Sequence, residues 1–128
     1  MRILVGLIIA IAVNAILNSK PSGNYCGYPV ITPRGKGFIT INIADSHEFN
    51  IYAEWTPFFG CERAGIEYYV PYSYDDSTQD VTVTDTSKLQ DLITKIDAPM
   101  RPSDLAHLHY DGNALHVVAF KYLYLKPC

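Results

Sequence analysis

The sequence predicts a mainly β protein, a β-rich α+β fold in which roughly six to eight short antiparallel strands form a small barrel or a sandwich with one short helix. Three observations lead to this prediction. The chain contains 10 Tyr, 5 Phe and 1 Trp, and aromatic rings pack well on a pleated sheet. Apolar and polar residues alternate over several short segments. Turn-forming residues separate these segments at short intervals.

The length and composition limit the class of protein. The chain has 128 residues, 48% of them hydrophobic and only 18% charged, which suits one globular domain and excludes a disordered tail or a coiled coil. The formal net charge of −3 argues against electrostatic capture of nucleic acid or of acidic lipids.

The N-terminus has the features of a secretory signal peptide. Arg2 precedes an apolar run over residues 3–13, and small residues at Val13 and Ala15 suit signal peptidase. We expect cleavage after Ala15, with a cut after Ser19 as the alternative. The run is shorter than the roughly 20 residues needed to span a bilayer. The predicted organisation is a signal peptide at 1–15, a flexible lead-in at 16–24 and a single β-rich domain at 25–128, secreted and without a membrane anchor.

A hairpin in the first half of the domain has the clearest pattern. Residues 37–43 and 47–55 both alternate with period 2, and a short polar turn at 44–46 separates them. One face of this antiparallel pair is apolar and the other polar. We therefore predict that the apolar set faces the core, namely Ile39, Ile41, Ile43, Phe49, Ile51, Ala53 and Trp55.

The rest of the domain contains shorter elements. Strands are predicted at 66–70 and 81–83, with a polar turn between them. A helix is predicted at 88–96, with a capping box of Ser87 and Gln90 and an apolar stripe facing the core. Asp111-Gly112 then predicts a turn between strands at 106–110 and 114–125, and the second of these bends near Phe120.

The three cysteines predict one disulfide and one spare thiol in an oxidising compartment. Sequence allows three pairings. We favour Cys61–Cys128, which would tie down the last strand, over Cys26–Cys61. In the favoured pairing Cys26 is the spare thiol.

Three histidines form the best candidate for a metal site. If Leu108 and Leu115 face inward and pair across the last hairpin, then His107, His109 and His116 stand together on its outer face, with His107 opposite His116. Three imidazoles around an open position are the ligand set of catalytic zinc sites. No Asp or Glu is evident in sequence as a partner, and histidine is also common on the wet face of a sheet.

Other residue combinations predict less. Asp45-Ser46-His47 contains the residue types of a serine triad, but adjacent residues cannot reach that geometry. Tyr68-Tyr69 and Tyr72-x-Tyr74 could line a groove, although sheet aromatics are more often core or cross-strand pairs. No phosphate-binding or nucleophile motif is present in the sequence. We therefore assign no catalytic residues, and the sequence leans away from an enzyme.

Two resemblances add to this interpretation. The segment Pro21-Ser22-Gly23-x-Tyr25-Cys26-Gly27, followed by the Ile-rich hairpin, an aromatic strand, a Val-Thr-Val strand and a closing hairpin ending in Cys128, resembles short secreted β-proteins of unknown role in perkinsid protist parasites. This resemblance implies a lineage-specific secreted β-protein and carries over no site residues. The tripeptide Gly23-x-Tyr25 is also similar to the first strand of lipocalin-like barrels, which implies a small-molecule cavity.

The function we expect is that of a secreted, non-enzymatic protein that binds an extracellular partner or small ligand. The alternative is a metal-binding protein or metal-dependent enzyme that uses the three histidines, and zinc is the only cofactor this would require. Neither nucleic acid nor a membrane is an expected partner.

Overall fold

The computed structural model describes residues 20–128, so the predicted signal peptide and most of the lead-in lie outside the described residues. β1 begins at Gly23, two residues before the predicted start of the domain. The described chain forms the following elements in order: β1 (Gly23–Gly27), β2 (Val30–Thr32), β3 (Gly35–Ile43), β4 (Glu48–Pro57), β5 (Arg63–Asp75), β6 (Asp80–Val83), α1 (Ser87–Ile96), α2 (Pro102–Leu105), β7 (His107–Tyr110), β8 (Leu115–Val117) and β9 (Tyr124–Pro127).

The strands close into an antiparallel barrel. From β3 to β9 each strand pairs with the next, and β1 pairs with both β9 and β3, which completes a ring of eight strands. β2 is the extra strand and pairs with β3 beyond the end of β1. The predicted fold class is confirmed, and the architecture is the barrel. Closure leaves few unpaired edges, the usual weak points of a sheet.

The predicted β3–β4 hairpin is confirmed together with its inward face. Ile41 lies opposite Ile51, and Ile43 lies opposite Phe49. All seven predicted side chains are buried. Asp45 holds the turn, because its Oδ1 accepts hydrogen bonds from the backbone N–H groups of His47 and Glu48.

β5 is longer than the sequence predicts and changes its inward face at a bulge. Ile51 lies opposite Glu67, whereas Phe49 lies opposite Val70, so β5 carries one extra residue between these pairs. Tyr69 adopts φ 60° there. Beyond the bulge Val70 is buried in the barrel, and before it β5 lies under α1. An inserted residue reverses the alternation, so a period-2 pattern predicted only the part of this strand at 66–70.

Helix α1 covers the part of β5 that β6 does not reach. β6 pairs only with the last residues of β5, from Tyr72 to Asp75. Lys88 Nζ donates to the free carbonyl of Tyr68 at 2.6 Å, and Lys95 Nζ forms an ion pair with Glu67 at 3.1 Å. The predicted apolar stripe of the helix is buried, namely Leu89, Leu92, Ile93 and Ile96. The helix therefore acts as a section of the barrel wall.

The N-terminus of α1 differs from the prediction. Thr86 is the N-cap residue, and it makes no side-chain cap hydrogen bond. Asp85 Oδ1 accepts from the N–H of Ser87 at 3.0 Å. The predicted capping box of Ser87 and Gln90 is therefore wrong, because Ser87 is already inside the helix. Among residues 20–128, no helix is long and apolar enough to cross a membrane.

One disulfide is present among the described residues, and it joins Cys26 to Cys128. The predicted Cys61–Cys128 bridge and the alternative Cys26–Cys61 are both wrong. The reason is barrel closure: β1 pairs with β9, with Cys26 opposite Lys126, and the N–H of Cys128 donates to the Asn24 carbonyl. The spare thiol belongs to Cys61, which is exposed in the β4–β5 connection.

The two ends of the barrel carry different connections. The β3–β4, β5–β6 and β7–β8 turns lie at one end. The β2–β3, β4–β5 and β8–β9 connections and the segment between α1 and α2 lie at the other. We call the second end the cavity end, because an apolar cavity opens there.

Candidate functional site

The cavity end contains a cavity of about 380 Å³ that continues the apolar core of the barrel. Small-molecule sites in proteins have volumes of roughly 300–1,000 Å³, so this cavity suits a small ligand. Segments from five parts of the chain form it: the β2–β3 turn, the ends of β3 and β4, the end of α1, the α1–α2 segment and the β8–β9 connection.

The barrel side of the cavity is made by β3 and β4. Ile39 and Ala53 line its base, and Trp55 lines its wall. Gly37 lies opposite Trp55, and a Cβ added to Gly37 would be 3.3 Å from Cε3 of the indole ring. The absence of a side chain at Gly37 therefore lets the ring lie flat against the strand, which keeps the space beside it open.

The helical side closes over the barrel. Leu92, Ile93 and Ile96 of α1 line the cavity, and Ala98, Pro99, Met100 and Leu105 continue the apolar lining. Hydrogen bonds fix this segment: the N–H of Ala98 donates to the Ile93 carbonyl at 3.2 Å, and the N–H of Arg101 donates to Asp104 Oδ2 at 2.9 Å.

The β8–β9 connection supplies the last wall. Phe120 and Leu123 line the cavity. The N–H of Phe120 donates to the Val117 carbonyl and the N–H of Leu123 donates to the Phe120 carbonyl, both at 2.9 Å. These turns reverse the chain between β8 and β9, which pair antiparallel. The predicted single strand at 114–125 with a bend near Phe120 is therefore wrong, because the chain turns back there.

Few polar groups face this cavity, and most of them are already engaged. Thr32 Oγ1 accepts from the N–H groups of Arg34 and Gly35. The carboxylate of Glu54 accepts from the Tyr52 hydroxyl, and this hydrogen bond raises the pKa of Tyr52. Arg34 is exposed at the rim and forms no ion pair with any residue in 20–128. Binding here would depend on apolar shape, with the Arg34 guanidinium at the entrance.

A second cavity, of about 650 Å³, lies at the opposite end. Its lining includes Lys20, Asp45, Ser46 and His47. It is larger but more polar, and a cavity with an apolar lining and few polar groups is the better small-molecule site.

The sequence did not identify the residues of the apolar cavity. They come from segments far apart in the chain, so no local period or motif marks them. The similarity of Gly23-x-Tyr25 to lipocalin-like barrels implied a cavity, and the protein has one. Tyr25 itself is buried elsewhere in the core, where its ring packs edge-on against Tyr110. One local feature of the sequence could have indicated the cavity: Gly37 begins the first arm of the predicted hairpin, with Gly35 just before it, and Trp55 ends the second arm.

The predicted outward face of the three histidines is present, in a different register. His109, rather than His107, lies opposite His116, and Leu108 lies opposite Val117 rather than Leu115. The turn is longer than predicted, because Asp111 Oδ1 accepts from the N–H groups of both Asn113 and Ala114. A shift of two residues preserves the faces, so the three imidazoles remain on the outer side.

Two of these histidines meet a carboxylate that the sequence did not reveal. Asp80 Oδ1 lies 3.2 Å from His109 Nδ1 and 3.6 Å from His107 Nε2. The hydrogen bond with His109 is the main reason that the pKa of Asp80 is lowered.

His116 is engaged differently from the other two histidines. Its ring stacks on Tyr124 at 4.4 Å, and its Nε2 lies 3.3 Å from the Phe120 carbonyl. Among residues 20–128, no group of three or more His, Cys, Asp or Glu side chains is placed to hold a metal ion. The three histidines share a face without converging on one point.

The four tyrosines that were candidates for lining a groove do not lie on one surface. Tyr72 is buried, and its hydroxyl donates to the Asp45 carbonyl at 2.6 Å. Tyr74 packs against the core, while Tyr68 and Tyr69 are exposed on β5. The predicted tyrosine groove is therefore divided between the inside and the outside of the barrel.

The fold and the cavity define a class of protein: a closed, disulfide-linked antiparallel barrel with an apolar cavity at one end. Comparison of the chain with protein-family models, with curated proteins and with solved structures finds no significant match.

Proposed function

We propose that this protein is a secreted, non-enzymatic binding protein that holds a small apolar molecule in the cavity at the end of its barrel. The observation that carries the proposal is the cavity of about 380 Å³, whose lining is almost entirely aliphatic and aromatic. A closed barrel holds the walls of such a cavity in place without a ligand, which lowers the entropic cost of binding.

The lining limits the chemical class of the ligand. A ligand with several polar groups would lose hydrogen bonds to water and gain few in return, since the polar side chains here are mostly engaged. The bound part of the ligand is therefore a hydrocarbon chain or a ring system. A single polar or acidic group is compatible with a position at the rim, beside Arg34.

Two observations support export. Residues 1–15 have the pattern of a signal peptide, and the Cys26–Cys128 bridge is of a kind that persists in oxidising compartments. The resemblance to secreted β-proteins of perkinsid protist parasites agrees with this expectation. The extracellular partner or ligand that the sequence predicts is, in this proposal, the occupant of the cavity.

The test uses the neutral fluorescent probe N-phenyl-1-naphthylamine, which brightens in apolar surroundings. Trp55 is the only tryptophan of the chain and lines the cavity, so energy transfer from Trp55 to the probe reports binding at this site. We expect saturable binding with quenching of Trp55 emission. Absence of saturable binding would contradict the proposal.

A matched pair of variants locates the binding. Ala98→Phe fills the cavity from the helical side, while Ser103→Phe adds the same ring at an exposed position of α2. We expect at least a tenfold loss of affinity for Ala98→Phe and no change for Ser103→Phe. Leu123→Phe fills the cavity from the opposite side and replaces Ala98→Phe if circular dichroism shows that the latter is unfolded. Unchanged affinity in a folded cavity-filling variant would exclude the cavity as the site.

A further inference from the structure

Charge is distributed unevenly between the two ends of the barrel. The end opposite the cavity carries a cluster of carboxylates, namely Asp45, Glu48, Asp75, Asp76, Asp80 and Asp111. The cavity end carries cations that form no ion pair within residues 20–128: Arg34, Lys36, Arg101 and Lys121. The net charge of −3 averages over these ends, which is why net charge alone predicts no affinity for acidic surfaces.

The carboxylates at the cavity end have different partners. Asp97 forms an ion pair with Arg63 at 3.3 Å, and Asp104 accepts from the N–H of Arg101. The neighbouring Glu54 carboxylate is the main cause of the raised pKa of Glu62. Apart from the Arg63–Asp97 pair, the cavity end thus carries four cations against three carboxylates, namely Glu54, Glu62 and Asp104, so its net charge is slightly positive.

Exposed apolar side chains project from the same rim. Phe59 is 102% exposed and Phe58 is 58% exposed, at the tip of the β4–β5 connection. Ile31 and Tyr122 are also exposed, in β2 and in the β8–β9 connection. The N–H of Phe58 donates to the Arg34 carbonyl at 3.2 Å, so the phenylalanine pair and a rim cation are held side by side.

We propose that the cavity end docks on the surface of an anionic lipid bilayer, with Phe58 and Phe59 inserted among the headgroups and with Arg34, Lys36 and Lys121 against the lipid phosphates. Aromatic side chains favour the membrane interface, and cations near an anionic leaflet each strengthen binding roughly fivefold. Two consecutive exposed rings in a turn, one of them fully exposed, suit insertion into the interface. The carboxylate-rich end then faces away from the bilayer.

This orientation places the open end of the cavity against the membrane. Docking itself does not require a ligand in the cavity, so it is testable independently of the proposed function. The two properties would together describe a protein that exchanges an apolar molecule with a lipid surface.

The experiment measures co-sedimentation of the mature protein with vesicles. One set contains phosphatidylcholine alone, and the other also contains about a third phosphatidylserine. All proteins carry Cys61→Ser, which prevents adventitious disulfide dimers. We expect binding to the anionic vesicles, little binding to the neutral ones, and release at high salt. Equal partition to both vesicle types, or none to either, would overturn the proposal.

Two pairs of variants test the docking surface. Phe58→Ser/Phe59→Ser should reduce binding at least tenfold, whereas Tyr68→Ser/Tyr69→Ser removes another exposed aromatic pair and should leave it unchanged. Arg34→Glu/Lys121→Glu should also reduce binding at least tenfold. Because Phe59 is fully exposed, Phe59→Ser alone serves if the double variant does not fold. If the folded Phe58→Ser/Phe59→Ser variant, or Phe59→Ser in its place, bound anionic vesicles as strongly as the wild type, the proposal would be refuted.

Two further measurements distinguish membrane docking from ligand binding in the cavity and from self-association. Ala98→Phe should bind anionic vesicles as the wild type does, even though its affinity for the apolar probe is expected to fall at least tenfold. Analytical ultracentrifugation without lipid tests a second copy of the chain as the occupant of this surface. A dimer that Phe58→Ser/Phe59→Ser abolishes, in a protein that does not bind vesicles, would assign the surface to self-association instead.

Discussion

Gly37 and Trp55 lie directly opposite each other on β3 and β4, and the indole ring occupies the space that a side chain at Gly37 would fill. Gly37→Val would push the ring away from the strand and into the cavity. We expect a loss of about 1–3 kcal/mol in the free energy of unfolding, as for other overpacked cores, together with weaker binding of the apolar probe.

Lys36→Val is the control for this substitution, because Lys36 is the neighbouring residue and its side chain is exposed. Denaturant unfolding followed by Trp55 emission measures the stability of both variants. Equal stability of Gly37→Val and Lys36→Val would show that the ring does not depend on the glycine.

Ile51 is a second position at which a substitution should strongly destabilise the barrel. Its side chain is 1% exposed, so Ile51→Asp would bury an unpaired carboxylate and cost at least about 4 kcal/mol. The comparison is Asn50→Asp, the adjacent residue on the outer face, which keeps its acceptor for the Tyr69 N–H and should change stability by less than about 1 kcal/mol. Circular dichroism at rising urea concentration measures both, and a cooperative transition close to that of the wild type in Ile51→Asp would contradict the hairpin.

The Cys26–Cys128 bridge predicts unequal effects of removing the three cysteines. Cys26→Ser should destabilise the protein by about 2–5 kcal/mol, because the bridge closes a long loop in the unfolded chain. Cys61→Ser should leave thermal stability unchanged, since the thiol is exposed and unbridged. Mass spectrometry of a non-reduced digest identifies the pairing, and any peptide joined through Cys61 within one chain would refute it.

The lowered pKa of Asp80 predicts how its contribution to stability depends on pH. Its pKa in the folded protein lies below the ordinary value of about 3.9, mainly because of the hydrogen bond with His109. A depressed pKa gives stability that is complete above the ordinary value and is lost as the pH falls through the lower, folded value. The difference in melting temperature between wild type and Asp80→Asn should therefore be largest near neutral pH and shrink below about pH 4.

Asp91→Asn, on the exposed face of α1, is the control for this measurement. A difference for Asp80→Asn that stays constant down to about pH 2 would mean that Asp80 contributes nothing through its charge.

The positions of the three histidines predict that the protein does not bind zinc, the alternative function that the sequence suggested. Zinc binding by all three would require His116 to leave its stack on Tyr124 and its contact with the Phe120 carbonyl. We expect stoichiometric zinc to leave the melting temperature unchanged, because a metal stabilises only a fold that binds it. A rise in melting temperature that His109→Ala abolishes would establish the metal site instead.

Local patterns in the sequence were sufficient for the β3–β4 hairpin and for the buried face of α1. In both, the period of the apolar residues directly reports which side chains face inward. Ile41 and Ile51 lie opposite each other, and a short turn with one apolar face on each strand favours a register that buries both. The last hairpin differed by two residues because Asp111 holds a wider turn than Asp-Gly alone predicts.

Features that depend on barrel closure could not be predicted locally. Cys26 and Cys128 meet only because the first and last strands pair, over a sequence separation of 102 residues. The cavity is similar in this respect, since Trp55, Met100 and Leu123 become neighbours only after closure. Asp80 and His109 meet for a different reason, because β6 and β7 pair across the helical segment between them, and no local pattern gives the register of that pair.

The pairing of β1 with β9 also makes the barrel a candidate for circular permutation. Lys20 leads into β1, and Cys128 follows β9 with its N–H bonded to the Asn24 carbonyl of β1, so a short linker could join them, with new termini opened beside Gly60 in the β4–β5 connection. Such a permutant would retain every strand pair, yet Cys26 and Cys128 would then lie close together along the chain. Because the stabilisation from a cross-link grows with the length of the loop it closes, reduction should destabilise the permutant less than the natural protein.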